Sequence, residues 1–494
     1  MHPFRPPADA WSRRDFMRNG LGSFALLCTV GPDGRSKGAR VVTSAARRAQ
    51  AQSPFTPFVR DLPVAPVLAP VRSERGLDVY EMEIREGLAE ILPGFQTPIY
   101  GYDGSYPGPT IRAREGRTAI VRQHNALPFD TNVHLHGGSV PAAHDGHPMD
   151  VIAPGDSFAY EYPNDQDAAF LWYHDHAHGR TARTLYYGLL GTYVLHDRRE
   201  QRLDLPRGEF DVPIVLADHA FNKDGSFRYV ENLDLGFRGD TILVNGAVAP
   251  RMAVKRRLYR LRFLNASNAR SYDLRLGEGR EMAQIAGDGG LLERVARRGS
   301  VPLHPAERVE LLVDFRRFSA GSEVVLSNAL GESGGTRRIM RFDVEGGGGA
   351  EEARIPGGGM RSLGRLPKPV TTRTWDLALA AGGGVQWQIS GLGFDPARID
   401  VRPRLGSTER WRWHNPSNRV HPMHLHGMLF RILERSSGPV HPGGRGWKDT
   451  VGVLPGETVT IQPSFAPYRG RYVFHCHALE HADKAMMLQL EVVE

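Results

Sequence analysis

The segment His475-Cys476-His477, followed by His481 and Met486, gathers the side-chain types that soft metal chemistry requires. On a β-strand successive side chains point to opposite faces, so the two histidines flanking Cys476 face one way and the thiol faces the other. One short segment can therefore serve two metal sites. A thiolate joined by imidazoles, one of them from His481, and by a distant Met486 thioether is the ligand set of a blue-copper electron-transfer centre. The histidines on the opposite face need partners of their own. Three segments offer them: His134-Leu135-His136, Trp172-Tyr173-His174-Asp175-His176 and His421-Pro422-Met423-His424-Leu425-His426.

A single His-x-His pair is weak evidence, because an isolated histidine is ordinarily a hydrogen-bonded structural or surface residue. Ten of the 20 histidines fall in these clusters, and one cluster encloses a cysteine. Structural zinc sites close on four ligands and dinuclear hydrolases add bridging carboxylates, so imidazole-rich clusters beside a Cys/His/Met site favour copper. The only other cysteine, Cys28, lies near the N-terminus. Its removal with a leader would leave Cys476 without a disulfide partner, which makes it a ligand rather than a staple.

These residues must be positioned by strands. From about Ser53 the chain runs in short alternating stretches punctuated by Gly, Pro, Asn and Asp, the pattern of an all-β sandwich protein with few, short helices. A loose internal repeat supports three similar units. Tyr106-Pro107-Gly108 leads to a strand ending at Asn125, Val244-Asn245-Gly246 to one ending at Asn265, and Ile389-Ser390-Gly391 to one ending at Asn415. We place the domains at 52–205, 206–365 and 366–494, with a flexible glycine-rich connection (Gly346 to Gly349, Gly357 to Gly359) before the last.

Residues 1–51 read as a twin-arginine-type export signal: Ser12-Arg13-Arg14-Asp15-Phe16, then an apolar run from Leu21 to Val30, with small residues around Ala49 and Ala51. The expected location is periplasmic or extracellular. Of the formal charge of +7, the first 51 residues carry +6, so the remainder is nearly neutral and gives no support to nucleic-acid binding. No apolar run approaches the roughly 20 residues that span a bilayer. A monomer is expected.

The four clusters resemble the copper-binding motifs of the multicopper oxidases. Trp172 to His176, Gly446-Trp447-Lys448-Asp449-Thr450-Val451 and His475 to His481 are similar to those of the three-domain bacterial laccases, the group of the spore-coat and bilirubin-oxidising enzymes. The resemblance implies three tandem cupredoxin-like Greek-key β-sandwich domains and four copper ions. His421, Cys476, His481 and Met486 would hold the type 1 copper. His134 and His424 would hold the type 2 copper, and His136, His174, His176, His426, His475 and His477 the type 3 pair, between the first and last domains. Met487 is read as core and His178 as a non-ligand.

Dioxygen reduction needs four electrons and protons, whereas phenols give up electrons singly. Cys476, bonded through the backbone to His475 and His477, is the expected electron route. Asp145 occupies the position of an acidic residue near the cluster in laccase relatives, although Asp145-Gly146 is also a turn signal. Glu480 is a second proton-relay candidate or a hydrogen-bond partner. Relatives commonly carry Glu after the last type 1 histidine; here stands Ala482, so either Asp483 or a water chain substitutes or proton delivery is slower. Asp449 is expected to orient a type 1 histidine or a phenolic proton, or to be structural. Trp172 and Tyr173 are read as packing. The expected activity is a laccase-like oxidation of phenols, aromatic amines or bilirubin-like donors. The alternatives are an envelope cuprous oxidase, against which a region 345–369 with only Met360 weighs, and a non-enzymatic envelope protein of the same fold.

Overall fold

Asn125, Asn265 and Asn415 make the same joint three times. Each sits at a strand end, and its Oδ1 accepts the backbone N–H two residues on: Leu127 at 3.0 Å, Ser267 at 3.0 Å and Ser417 at 3.1 Å. Each Nδ2 donates across to carbonyls of a later loop: Ile152 at 2.8 Å, Leu303 at 3.0 Å and Val453 at 2.9 Å. An asparagine can mimic a backbone turn in this way while satisfying carbonyls that burial would leave unpaired. The sequence repeat is thus a repeated physical device.

The computed structural model describes residues 56–348, 353–380 and 386–494. The export-signal reading lies outside the described residues. The strands form three successive pairs of facing sheets, the chain being three tandem cupredoxin-like β-sandwiches. In each, an early strand pairs in parallel with the strand leading to the asparagine joint: Leu77–Ala89 with Thr118–Asn125, Asp211–His219 with Leu258–Asn265, and Thr372–Leu379 with Arg410–His414. Parallel neighbours require a crossover between sheets, which is what makes the connection a Greek key rather than a meander. Each sandwich encloses its own apolar core. Among the described residues the α-helices are short: Thr181–Tyr187, Gly334–Arg337 and Leu479–Lys484.

Strands stop at His196 and Val344 and resume at Asp211 and Thr372. The second connection differs from the expected flexible tether. Met360 is 3% exposed and packs with Leu205, Leu291 and Leu292 of the middle region, and its N–H donates to the Glu293 carbonyl at 2.9 Å. An apolar anchor thus holds the segment down.

Candidate metal centre

Strand register sorts the chemistry onto two faces. His421–Leu425 pairs antiparallel with Gly470–Cys476, placing Met423 opposite Cys476 and His424 opposite His475. Directly paired residues share a face, and alternation then puts His421 with Cys476, and His424 with His475. Met487 lies opposite His475, so Met486 falls on the Cys476 side, where it shares the third core with the thiol. The spacing argument for Met486 and against Met487 agrees with this register. In the first sandwich His134 pairs with His174 and His136 with Trp172, so all four share one face.

On the sulfur face, Cys476 Sγ lies 3.6 Å from His421 Nδ1 and 3.7 Å from His481 Nδ1. His481 reaches the site because the short helix Leu479–Lys484 turns the chain back immediately after the strand. The far nitrogens are covered: Ser417 Oγ lies 3.2 Å from His421 Nε2, and the Asp234 carbonyl 3.3 Å from His481 Nε2. Trp387 closes the site, its ring 4.6 Å from that of His421 and 5.2 Å from that of His481. Burial pushes the Cys476 thiol up to about 12, so a thiolate here requires a cation beside it.

On the other face eight imidazoles converge. His134, His174, His424 and His475 each donate Nδ1–H to a backbone carbonyl, of Asp145 (2.6 Å), Asp175 (2.8 Å), Asp449 (2.9 Å) and Cys476 (3.0 Å). That choice of tautomer leaves Nε2 as a lone pair. The lone-pair atoms then face one another, with His134 and His424 Nε2 3.4 Å apart and His426 and His475 Nε2 3.1 Å apart. His176 Nε2 is 3.0 Å from that of His475. In the first two pairs acceptor faces acceptor, which is repulsive without a cation between; His176, whose Nδ1 has no partner, is able to donate Nε2–H to His475. His136 Nδ1, His174 Nε2 and both His477 nitrogens are buried with no hydrogen-bond partner. Burial, reinforced by neighbouring imidazoles, holds His134, His136, His176, His426 and His477 well below the ordinary histidine range, so the rings are neutral. The donor set therefore fits a group of metal ions. His178 is exposed, with its ring beside Phe394.

Asp145 lies both at a turn and against the imidazoles. It closes a turn into Gly146 (φ +74°), and its Oδ2 accepts from His426 Nδ1 at 2.8 Å while its carbonyl holds His134. Burial raises its carboxyl well above the usual range. Glu480 faces away from the imidazoles, with Oε1 accepting from Tyr229 and Asn268 of the middle sandwich, each at 2.9 Å. Asp483 accepts from the Thr181 and Ala182 N–H groups, and burial pushes it up to about 8.

Of the roles expected for Asp449, orienting a type 1 histidine does not fit its position, and the structural one stays open. Asp449 Oδ1 lies 3.0 Å from His136 Nε2, among the imidazoles rather than beside His421. Register is the reason: Thr450 pairs with His424 while His421 pairs with Val453, so Asp449 falls at the far end of the strand. Two buried residues escaped notice, Arg308 and Trp387. Neither has a local motif, and the partners of Arg308 lie 138 and 141 positions away.

Fold and site together define a copper oxidase architecture, and comparison with known proteins agrees. Residues 83–200 and 370–494 match the sequence profiles of multicopper oxidase domains. The laccase of Bacillus subtilis (strain 168) is 35% identical over 88% of this chain and 98% of its own length. The bilirubin oxidase of Albifimbria verrucaria is 35% identical over 89% of this chain and 82% of its own. The crystal structure of a laccase from Pediococcus acidilactici superposes with a TM-score of 0.82 at 33% identity, covering 90% of this chain and 95% of that one. The chain belongs to the multicopper oxidase family. It is an oxidoreductase, and membership implies copper as its metal.

Proposed function

We propose that the protein is a laccase-like oxidase holding four copper ions, with each ligand as the motifs assign it. His421, Cys476, His481 and Met486 hold one ion. His134 and His424 hold a second, and His136, His174, His176, His426, His475 and His477 hold a pair. The domain edges at 205/206 and 365/366 and export through the 1–51 segment belong to the same reading. The observation that carries it is the Cys476 strand: a sulfur within 3.7 Å of two imidazoles on one face, and flanking histidines in a group of eight on the other.

The coppers supply one-electron acceptance near the donor and four-electron reduction of dioxygen to water. The chain does the rest. Cys476 links the two faces through a single backbone segment, so electrons need no diffusing carrier. Trp387, Ser417 and the Leu233-Asp234 loop shield the donor side of His421 and His481, which excludes water from the thiolate. Asp145 holds His426 and His134 in their ligating tautomers, and its raised carboxyl suits it to hold a proton beside the imidazole group. The donors are phenols, aromatic amines or bilirubin-like molecules. A cuprous-oxidase role is disfavoured because Met360, the one thioether in the 345–369 segment, is buried in apolar packing. Oxygen-uptake kinetics on copper-loaded protein, comparing a phenol, bilirubin and Cu(I), test the reading. A dominant preference for Cu(I) reverses it.

A further inference from the structure

We propose that Arg308, from the middle sandwich that supplies no ligand, is a positioning residue for the imidazole group: it fixes the Asp449 carboxylate, and Asp449 fixes the His136 ring. The proposal rests on the copper assignment above.

Arg308 is 1% exposed, and its guanidinium is fully committed. Nη1 and Nη2 form a two-pronged contact with Asp449 Oδ1 and Oδ2. Nη1 also donates to the Ala306 carbonyl at 3.0 Å and Nη2 to that of Asp288 at 3.2 Å. Nε donates to the Phe170 carbonyl at 3.1 Å, on the strand that carries Trp172 and His174. One side chain thus ties the histidine strand of the first sandwich to the acidic residue of the third. The fork is itself braced. Asp288 Oδ1 accepts the Arg308 backbone N–H at 2.8 Å, and Asp288 Oδ2 pairs with Lys448 at 2.8 Å.

The consequence falls on His136. A carboxylate only accepts hydrogen bonds, so Asp449 Oδ1, 3.0 Å from His136 Nε2, selects the tautomer protonated at Nε2. The lone pair is then on Nδ1, which is buried with no other partner. His134, His174, His424 and His475 are fixed the opposite way by backbone carbonyls. A ring presented through Nδ1 needs a different orientation from its neighbours, and the Arg308–Asp449 fork supplies it. The next residue confirms how closely the fork is packed: a Cβ on Gly137 would lie 2.5 Å from Arg308 Nη2 and 2.7 Å from Asp449 Oδ2. A lysine keeps the charge and loses the planar fork.

The test uses copper-loaded full-length protein, wild type beside Arg308→Lys and Asp449→Asn. A chelator is titrated while copper per chain, the near-ultraviolet band of coupled copper and the blue band are followed. Retention of the imidazole-bound copper should fall about 10- to 100-fold in both variants, the usual cost of losing an outer hydrogen-bond partner of a metal ligand. The blue band in the same molecules should be unchanged. A merely structural ion pair would lower both bands together with the melting temperature, and that result overturns the proposal. So does wild-type retention in either variant. If Arg308→Lys yields no folded protein, the shape-conserving Asp449→Asn decides alone. Wild-type protein that binds only the blue copper overturns the copper assignment as well, whereas fully loaded variants overturn this proposal only.

Discussion

The terminal sandwiches and the middle one bury polar side chains in opposite states of completion. Between the first and third, imidazole nitrogens face one another or face nothing. At the edge of the middle sandwich, Arg262 donates to Asp211 at 2.6 and 2.9 Å and to Glu310 at 2.8 Å, while Arg260 bridges Glu310 and Glu200. Every charge there has an opposite within reach. Buried polar networks are stable only when satisfied, so the middle network is a finished structural element and the imidazole group has the chemistry of a donor set for metal. Chemistry resides where the protein leaves its polar groups open, and stiffness where it closes them.

The sharpest way to break this contrast is Cys476→Ser. A hydroxyl replaces the only soft anionic ligand, so the blue colour should vanish and oxygen uptake should fall to background with every donor. Copper at the imidazole group should persist on metal analysis. A variant that remains blue would sink the assignment of both faces.

Next in size is Arg262→Met, which attacks the closed network instead. It leaves Asp211 in the interior with only Arg112, 3.5 Å away, and Glu310 with only Arg260, at a cost of about 3–5 kcal/mol in denaturant unfolding. The blue band of the folded fraction should be unaltered. Acid should reveal the same pairing. Burial works to raise the Asp211 carboxyl, but Arg262 and its neighbours outweigh it and hold the group at about 2. An unfolded aspartate titrates near ~3.9, so between these values the unfolded chain binds more protons. The contribution of Asp211 is complete above ~3.9 and is lost as pH falls toward 2. Stability against pH in that window should be flatter in Arg262→Met; an unchanged slope would show that Arg262 is not what depresses the group.

Asp145→Asn is a smaller perturbation. The amide keeps the turn but gives up the anionic acceptor of His426 Nδ1. Turnover at saturating donor should fall roughly 10- to 100-fold. Anaerobic bleaching of the blue band by the same donor, which reports only the sulfur face, should keep its rate. Slowed bleaching would mean that the two faces are not separable.

The same contrast explains what the sequence revealed. Side chains that converge lie within a few positions of one another because one strand or one tight turn presents them, so His134 to His136, His174 to His176, His421 to His426 and His475 to Met486 stood out as groups, and register puts Met486 rather than Met487 on the Cys476 side. The asparagine spacing exposed the tandem sandwiches for a similar reason, each joint being a local turn. Asp449 was left between two roles because its partner His136 lies 313 positions away and only strand register decides which histidine it meets. Arg308 and the Arg260–Arg262 network carry no local pattern. Charges on a strand ordinarily mark a solvated face, and nothing short-range distinguishes one whose counter-ion arrives from another sandwich. The 357–359 glycines suggested a free tether, and the packing of Met360 was invisible without its distant partners.

The finest test compares one device in two settings. Asn265→Ala and Asn415→Ala remove equivalent joints, each at a cost on the order of 1 kcal/mol per unreplaced hydrogen bond. In the middle sandwich the loss should end there, because the bonds of Asn265 run to the backbone. In the third, Ser417 Oγ bonds Asn415 Oδ1 at 2.7 Å and lies 3.2 Å from His421 Nε2. Removing Asn415 takes away the short acceptor of that hydroxyl and leaves it the Arg419 carbonyl at 3.4 Å, so the blue band should shift in Asn415→Ala and stay fixed in Asn265→Ala at matched stability. Equal spectra in both would mean that Ser417 does not communicate with the ligand, and that the open and closed parts of the third sandwich are mechanically independent.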